Sequence, residues 1–283
     1  MAARDADITR ARLRASDLAT PFRGVRTRSD VASTVHARAA SYAAKMSDGQ
    51  FFSHTTAAQL LGLRMPENFQ STLLHVASTP PMRAPRDLGV RGHQLSLRRI
   101  VTVSPGLRVT DAIQTWLDCA SILAVDDLVV MGDGLLRRNG PLATLGELAD
   151  AIRQHSGRRG FGRLVLAFDD VRARTDSARE TLLRLLLQRA RFPEPEVNAP
   201  IVNAYGATIA HGDLVYREYR TILEYDGGQH RDDERQYYTD IDRLDDLMEE
   251  KWRVIRVNKS LMSRRATLLG KVETALRAGG WRP

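Results

Sequence analysis

The sequence predicts an α/β protein of two domains: an N-terminal α+β domain over residues 1–155 and a C-terminal domain over residues 156–283. Two observations carry this prediction. Helical and strand-like segments alternate along the chain, and a run rich in glycine and arginine, HSGRRGFGR at 155–163, interrupts the apolar pattern. A chain of 283 residues is long enough for two domains of ordinary size.

The N-terminal half mixes predicted helices with predicted strands. Apolar residues at helical spacing indicate the helices, and Ser53 is a candidate N-cap for the second of them. The stretch TPPMRAPRDLGVRGHQ is rich in proline and arginine and predicts a loop between two strands. The predicted helices are 30–46, 54–63, 109–123, 125–137 and 143–154, and the predicted strands are 71–79 and 97–104.

The C-terminal half predicts the order helix, three strands, helix, strand, helix. A leucine-rich helix begins after a cap at Asp176 or Ser177, and the prolines of FPEPEV end it. A Tyr-Gly pair predicts a hairpin turn between the first two strands. The predicted helices are 175–192, 232–250 and 260–278, and the predicted strands are 197–204, 208–216, 220–226 and 252–258.

Composition narrows the class of protein. With 43% hydrophobic residues the chain has enough apolar material for packed cores, and no apolar run is long enough for a membrane span. The first residues lack the apolar segment of a secretory signal, and the single Cys119 fits a small buried core residue in a helical pattern. We therefore expect a cytoplasmic protein that does not bind membranes.

The net charge is +8 and the basic residues are nearly all arginine, which is compatible with a polyanionic partner or with a GC-rich genome. Residues 156–191 hold nine arginines against four acids. Arg158, Arg159 and Arg163 flank glycines there, which would let the backbone approach a phosphodiester chain. Sequence-independent nucleic-acid binding and a solvated linker both explain this composition.

In a β-strand, every second side chain points to the same face of the sheet, and in the C-terminal half this rule places acidic residues on a common face. In 220–226 it predicts a shared face for Ile222, Glu224 and Asp226. In 208–216 it predicts a shared face for Ile209, His211, Asp213 and Val215. If the two strands pair through the short turn between them, Asp213 and Glu224 meet, and Glu180 on the preceding helix can supply a third acid.

Carboxylates that converge beside apolar residues repel each other unless a cation is bound. Hard oxygen ligands in such a cluster suit Mg²⁺ or Mn²⁺. The spacing therefore predicts a divalent-metal site at one end of the two strands.

A family resemblance covers residues 160–280. The order of elements, with Asp213 and Glu224-Tyr225-Asp226, resembles the PD-(D/E)XK nuclease core, α-β-β-β-α-β, of restriction endonucleases. More closely, this part resembles the Vsr-like endonuclease domains of the domain-of-unknown-function family numbered 559. The residues that carry this closer resemblance are Asp213, Glu224, Asp226, Gly227, His230, Asp240, Arg243 and Arg256.

The resemblance implies metal-dependent phosphodiester hydrolysis. Asp213 and Glu224 would hold the metal, together with the carbonyl of Tyr225, while His230 would act as general base and Gln229 would help to place the attacking water. Glu180 and Asp226 join the catalytic set, and Asp240, Arg243 and Arg256 support it. Two positions depart from the family pattern: Gly212 replaces the usual proline, and Asp226 replaces the lysine.

Each of these residues also has a structural interpretation. Glu180 can pair with Arg184 one helical turn away, and Asp213 with Glu224 can be solvated at a sheet edge. Asp226-Gly227 is a turn dipeptide, and His230 can cap the next helix. Asp240 with Arg243 can be a salt bridge, and Arg256 can be a counter-charge to the acids. His211 is a further candidate on the same strand as Asp213.

The N-terminal half resembles antitoxin-like regulator domains of AbiEi-type abortive-infection systems over residues 40–140. The segments that carry the resemblance are FSHTTAAQLLGLRMP, LLHVAST, VRGHQLSLRRIVTVSPGLRVTDAIQTWLDCA and VVMGDGLLRR. It implies a DNA-contacting or specificity module. Arg91-Gly92-His93 is a candidate phosphate contact or a solvated loop, and His54 is interpreted as structural.

The leading functional hypothesis is a Mg²⁺- or Mn²⁺-dependent DNA endonuclease in repair or phage defence, acting on duplex DNA. A homodimer is a candidate assembly, because many nucleases of this class use two copies to cut both strands. The alternative is a non-catalytic DNA-binding antitoxin-like regulator whose nuclease domain is degenerate. RNA as substrate is a third alternative.

Overall fold

The computed structural model describes residues 8–30, 34–96, 99–203, 205–226 and 245–283. The protein is mixed α/β, as the sequence predicts. The chain forms two compact units that interleave in sequence, whereas composition predicts a single boundary after residue 155. The first unit contains residues 1–131 and 146–166, and the second contains residues 132–145 and 167–283. None of the helices in the described part of the chain is long and apolar enough to cross a membrane.

The first unit contains a five-stranded mixed sheet of order β5-β4-β3-β7-β6 and a two-stranded ribbon, β1-β2. β3 runs antiparallel to β4 and parallel to β7, and β4 runs parallel to β5. The ribbon strands are β1 (Leu18–Ala19) and β2 (Thr27–Arg28), and the sheet strands are β3 (Gln50–Phe52), β4 (Leu74–Ser78), β5 (Val90–Gln94), β6 (Ile100–Ser104) and β7 (Leu107–Thr110).

Ser53, the predicted cap, precedes a helix of the first unit but its side chain makes no capping hydrogen bond, whereas two other helices begin at side-chain caps. Thr34 accepts the N–H of Ala37, and Asp111 accepts the N–H of Gln114. The helices are α1 (Val35–Ala43), α2 (His54–Leu60), α3 (Ala112–Cys119), α4 (Val125–Leu135), α5 (Leu145–Gln154) and α6 (Phe161–Asp170). The chain passes between the two units within α4 and α6 and at the start of α5.

The core of the first unit lies under the sheet. Tyr42 on α1 packs edge-on against Phe22 and Phe52, with ring centroids 5.0 Å and 6.5 Å away. Leu74 and Val109 on β4 and β7 are fully buried in the same cluster. Cys119 is free and buried, as the sequence predicts.

The second unit contains a four-stranded sheet of order β11-β10-β9-β8. β8 and β10 both run antiparallel to β9, and β10 runs parallel to β11. The strands are β8 (Glu196–Val202), β9 (Thr208–Tyr216), β10 (Thr221–Tyr225) and β11 (Arg253–Val257), and the helices are α7 (Ala178–Arg189), α8 (Lys259–Ser263) and α9 (Arg265–Ala278).

The two faces of this sheet pack against different clusters. Leu214, Leu223 and Val257 pack with Leu183 of α7 and with α9. On the other face lie Val215, Ile222, Ala199 and Ile201 of the strands, with Leu247. Since successive strand residues point to opposite faces, these memberships fix which side chains share a face.

Side chains of a strand normally point to the two faces of the sheet in turn. On β8 and β9 this alternation shifts by one residue, at the level of Asn198 and Asp213. On β8, Val197 packs on the α7 side, although Ala199 packs on the opposite side. Asn198 adopts a left-handed φ of 45°, a conformation that asparagine tolerates better than most residues. As a result, the residues after Asn198 project from the opposite face of the sheet to the one that strict alternation predicts.

β9 changes in the same way. Ala210 and Val215 pack in one cluster, five residues apart, and a Cβ on Gly212 would point at the side chains of Val215 and Ile222. Ile209 packs in the same cluster as Val215, in line with their predicted common face, but Ala210 joins that cluster too and His211 is exposed, so strict alternation does not hold along β9. The physical reason is this local shift, which strict alternation does not anticipate.

A buried ion pair lies between α4 and α7 in the second unit. Arg184 donates to Asp133 at 3.0 Å, and both side chains are at most 1% exposed. Thr181 also donates to Asp133, at 2.8 Å, and so does the backbone N–H of Arg172, at 2.7 Å. Arg184 therefore pairs with an acid 51 positions away, not with Glu180 on its own helix.

Several predicted elements differ from the structure. Val109 belongs to β7 and not to a helix, because β7 inserts beside β3 in the core. The predicted loop before residue 95 contains β5, and the predicted junction at 155–163 contains the start of α6. The predicted helix 232–250 lies mostly outside the described residues, of which 245–249 are helical.

Candidate functional site

The predicted acids lie where β9 and β10 stop pairing. Backbone pairing between the two strands ends at Leu214 and Leu223. One residue further along β9, Asp213 Oδ2 accepts a hydrogen bond from the backbone N–H of Tyr225, with 2.7 Å between the two atoms. The carboxylate of Asp213 therefore takes the place of a backbone carbonyl and lies between the two strands.

Glu224 is half-buried and lies beside this point on β10. Its neighbours Leu223 and Tyr225 pack on the α7 side of the sheet, so Glu224 projects on the opposite side. Arg256 is its partner in the parallel ladder with β11 and projects on the same side. Arg256 and Glu224 therefore lie side by side on one face of the sheet.

Glu180 takes part in the start of α7. Ser177 caps the helix by accepting the N–H of Glu180 at 3.1 Å, and Glu180 Oε2 accepts the N–H of Asp176 at 2.9 Å. The amide of Asn198 also donates to Oε2, at 2.9 Å. The side chain is 5% exposed. The predicted third acid is therefore occupied by helix capping, because its position suits the free N–H groups of that terminus.

The remaining predicted residues of this site fall into two groups. Asp226 is exposed, and its backbone N–H donates to the carbonyl of Val257 at 2.8 Å, which extends the ladder with β11. The ring of Tyr225 lies 5.8 Å from the guanidinium carbon of Arg179. His230, Gln229, Asp240, Arg243 and Gly227 lie outside the described residues.

Gly212 precedes Asp213 and is required by its surroundings. A Cβ at this position would lie 2.7 Å from Ile222 Cγ2 and 2.8 Å from Val215 Cγ2. A side chain would push apart the two strands that position Asp213 and Glu224. Packing on this face therefore explains the glycine at position 212.

The three predicted nucleic-acid-binding arginines belong to the first unit. Arg163 donates to the carbonyls of Ala120 and Leu123 at 3.1 and 3.4 Å, so it caps the chain that leaves α3. Arg158 and Arg159 are exposed and line a cavity of the first unit.

Sequence reasoning missed a cluster of three histidines in the first unit. His54 begins α2, His75 lies on β4 and His93 lies on β5. His75 Nδ1 and His93 Nε2 are 2.9 Å apart, and the rings of His54 and His93 stack with centroids 3.8 Å apart. Among the residues that the structure describes, this is the only group of three or more His, Cys, Asp or Glu side chains with ligand atoms all within 4.8 Å.

Glu180, Asp213 and Glu224 do not form such a group. The predicted convergence of three carboxylates is therefore not observed. What the second unit offers is the pair Asp213 and Glu224.

The histidine cluster is neutral at physiological pH. Burial, with smaller contributions from His93, His75, Arg91 and Arg159, lowers the pKa of His54 to about 2. Burial lowers the pKa of His75 and of His93 to about 4. The cluster is therefore a set of uncharged imidazoles, each with one donor and one acceptor nitrogen.

These histidines line a cavity of about 730 Å³, within the size range of small-molecule sites. Its other polar walls are His155, Asp118, Arg91, Arg158 and Arg159. The signal in the sequence was the basic VRGH segment at 90–93, interpreted as a loop. Its link to the other histidines depends on the pairing of β4 with β5.

No family model matches the chain, and searches of the curated proteins and of the solved structures return no significant match.

Proposed function

We propose that the second unit is a divalent-metal-dependent endonuclease that hydrolyses phosphodiester bonds in DNA. The observation that carries the proposal is the position of Asp213 and Glu224 on neighbouring strands at the point where those strands separate. Two carboxylates that lie close together repel each other, and a cation bound between them relieves that repulsion.

The donor set fits a hard dication. Mg²⁺ is commonly held by one or two carboxylates together with waters and substrate phosphates, so a third carboxylate is not needed. Asp213, Glu224 and the Tyr225 carbonyl would supply the protein oxygens. An ion bound there would lower the pKa of a coordinated water and stabilise charge on the phosphoryl group.

The chain's own residues would orient and balance this site. The N–H of Tyr225 holds Oδ2 of Asp213 and so orients the carboxylate at the end of the ladder. Arg256, beside Glu224 in the ladder, would offset the negative charge in the absence of substrate and contact a phosphate in its presence. His230 as general base and Gln229 as its helper remain part of the proposal on sequence grounds.

One observation favours the alternative of a non-catalytic DNA-binding regulator. Asp213 already has a structural task, because it satisfies the Tyr225 N–H that the ladder leaves unpaired. An acid at this position would be explained by that bond alone. The sequence also offers no lysine on β10 to orient a water.

Cleavage of supercoiled plasmid separates the two functions. The protein is incubated with plasmid in Mg²⁺, in Mn²⁺ and in EDTA, and the same is done for Asp213→Asn, Glu224→Gln and the control Glu273→Gln. Glu273 is a partly exposed acid of α9 that pairs with Arg277. Metal-dependent nicking that both site variants lose and the control retains supports the endonuclease. If the wild-type protein retains plasmid on a gel without nicking it, the result supports the regulator. Cleavage of RNA but not of DNA would show that the substrate is RNA.

A further inference from the structure

The lining of the first unit's cavity combines exposed arginines with buried polar groups. Arg91, Arg158 and Arg159 are exposed at its wall, and among the described residues no carboxylate forms an ion pair with any of them. Two buried polar atoms, Asp118 Oδ2 and His155 Nδ1, have no hydrogen-bond partner there. Both side chains are at most 6% exposed. Buried polar atoms rarely remain unpaired, so these two indicate a ligand or ordered water.

The electrostatic potential of this cavity favours a negatively charged ligand. The imidazoles are neutral, and the nearby arginines add positive potential. Burial raises the pKa of Asp118 to about 7, so its protonated form, which can donate a hydrogen bond, is accessible near neutral pH. Guanidinium groups bind phosphate oxygens through paired N–H donors.

His155 adds a requirement for a donor on the ligand. Its Nε2 lies 3.3 Å from the carbonyl of Arg159, which makes Nε2 the protonated nitrogen. Nδ1 is then an acceptor. A complementary ligand therefore carries hydroxyl or amino hydrogens as well as a phosphate.

The apolar part of the wall indicates a planar group. Leu73 and Ile122 line the cavity and are 37% and 40% exposed, although both are large hydrophobic residues. Phe69 lies in the same wall. A heterocyclic base would cover this surface, whereas a sugar phosphate alone would leave it wet.

We propose that this cavity binds a nucleoside phosphate, with the arginines on the phosphate, His155 on a hydroxyl or amino group and the base against Leu73 and Ile122. The proposal does not depend on the endonuclease function of the second unit. A free mononucleotide and the phosphorylated end of a nucleic-acid strand share this chemistry.

The histidine spacing alone would also suit a transition metal. Two imidazole nitrogens on one tetrahedral Zn²⁺ are about 3.4 Å apart, since each Zn–N bond is about 2.1 Å. His75 Nδ1 and His93 Nε2 would need to separate from 2.9 Å to reach that distance. The positive potential of Arg91 and Arg159 opposes a dication.

Calorimetric titration of the full chain tests the proposal. The probes are the four nucleoside 5′-monophosphates, ribose 5-phosphate, inorganic phosphate, adenosine, and a 5′-phosphorylated trinucleotide with its unphosphorylated form. At least one mononucleotide or the phosphorylated strand should bind at least about tenfold more tightly than ribose 5-phosphate and than its unphosphorylated counterpart. If the mononucleotide binds more tightly than the phosphorylated trinucleotide, the ligand is a free nucleotide. The opposite order identifies the phosphorylated end of a strand.

Variants locate the binding. Arg91→Ala and Arg159→Ala should each weaken nucleotide binding at least about tenfold. Arg153→Ala, on the exposed surface of α5, should leave it unchanged. Ile122→Ser should weaken nucleotide binding without changing the affinity for inorganic phosphate. Because these side chains are exposed, the variants should remain folded. Thermal melting of each variant checks that they do.

Three results would overturn the assignment. The first is no measurable binding of any phosphorylated probe. The second is nucleotide affinity that is equal in the wild type and in both arginine variants. The third is tight Zn²⁺ or Ni²⁺ binding in phosphate-free buffer that His75→Ala abolishes, combined with no nucleotide binding.

Discussion

Asp213 Oδ2 accepts the backbone N–H of Tyr225 at 2.7 Å, at the residue where β9 and β10 stop pairing. One carboxylate thus completes the hydrogen bonding of the sheet and is also placed beside Glu224. Structure and proposed chemistry depend on different properties of this group: the hydrogen bond needs an acceptor, whereas metal binding needs a charge.

Asp213→Asn should therefore separate the two roles. The amide oxygen can still accept the Tyr225 N–H, so we expect less than about 1 kcal/mol of lost stability, against about 1–2 kcal/mol for Asp213→Ala. Both variants should lose metal-dependent nicking. Urea unfolding and the plasmid assay measure the two effects. Full nicking by Asp213→Asn would remove Asp213 from the metal site.

The buried pair of Arg184 and Asp133 should couple strongly. Arg184→Met leaves a carboxylate buried without its cation, which should cost about 3–5 kcal/mol in the free energy of unfolding. In an Asp133→Asn background the same change should cost much less, because no charge is left uncompensated. A double-mutant cycle by urea unfolding measures the coupling. Additive effects of the two substitutions would contradict it.

Acid should destabilise the first unit through His54 and His75. Their pKa values are lowered in the folded state to about 2 and about 4, so the unfolded chain takes up protons first as the pH falls below about 6.5. The contribution that these neutral histidines make to the free energy of unfolding above pH 6.5 is therefore lost as the pH falls below that value. From pH 7 to pH 5 each histidine should cost about 2 kcal/mol.

Hydrogen–deuterium exchange of peptides from α2 and β4 measures this loss at the two pH values. His75→Gln should flatten the dependence by removing one titrating group. His36→Gln provides the control, because His36 is exposed on α1. Equal protection at pH 5 and pH 7 in the wild type would refute a neutral buried cluster.

Gly212→Ala should destabilise the second unit by about 1–3 kcal/mol, since its Cβ would meet Ile222 and Val215 at under 3 Å. Gly270→Ala, in α9 with open space around the new methyl, should be neutral or stabilising by up to about 1 kcal/mol. Thermal melting compares the two. The first substitution should also reduce nicking, because it separates β9 from β10. A stable Gly212→Ala would show that the strands can move apart without cost.

The sequence by itself determined the elements of the second unit. Helix caps, apolar spacing and turn residues are local signals, and they predicted α7, β8, β9, β10, β11 and α9 close to their observed positions. The same signals placed Asp213 and Glu224 near one another, because both lie a fixed number of residues from one short turn.

Only the tertiary structure decided which side chains meet. The left-handed backbone of Asn198 shifts the alternation of β8, and Glu180 turns to the helix terminus instead of the strand acids. The clustering of His54, His75 and His93 depends on β4 pairing with β5 and on the start of α2. Such contacts join residues far apart in the chain, and their energies depend on packing that no local pattern contains.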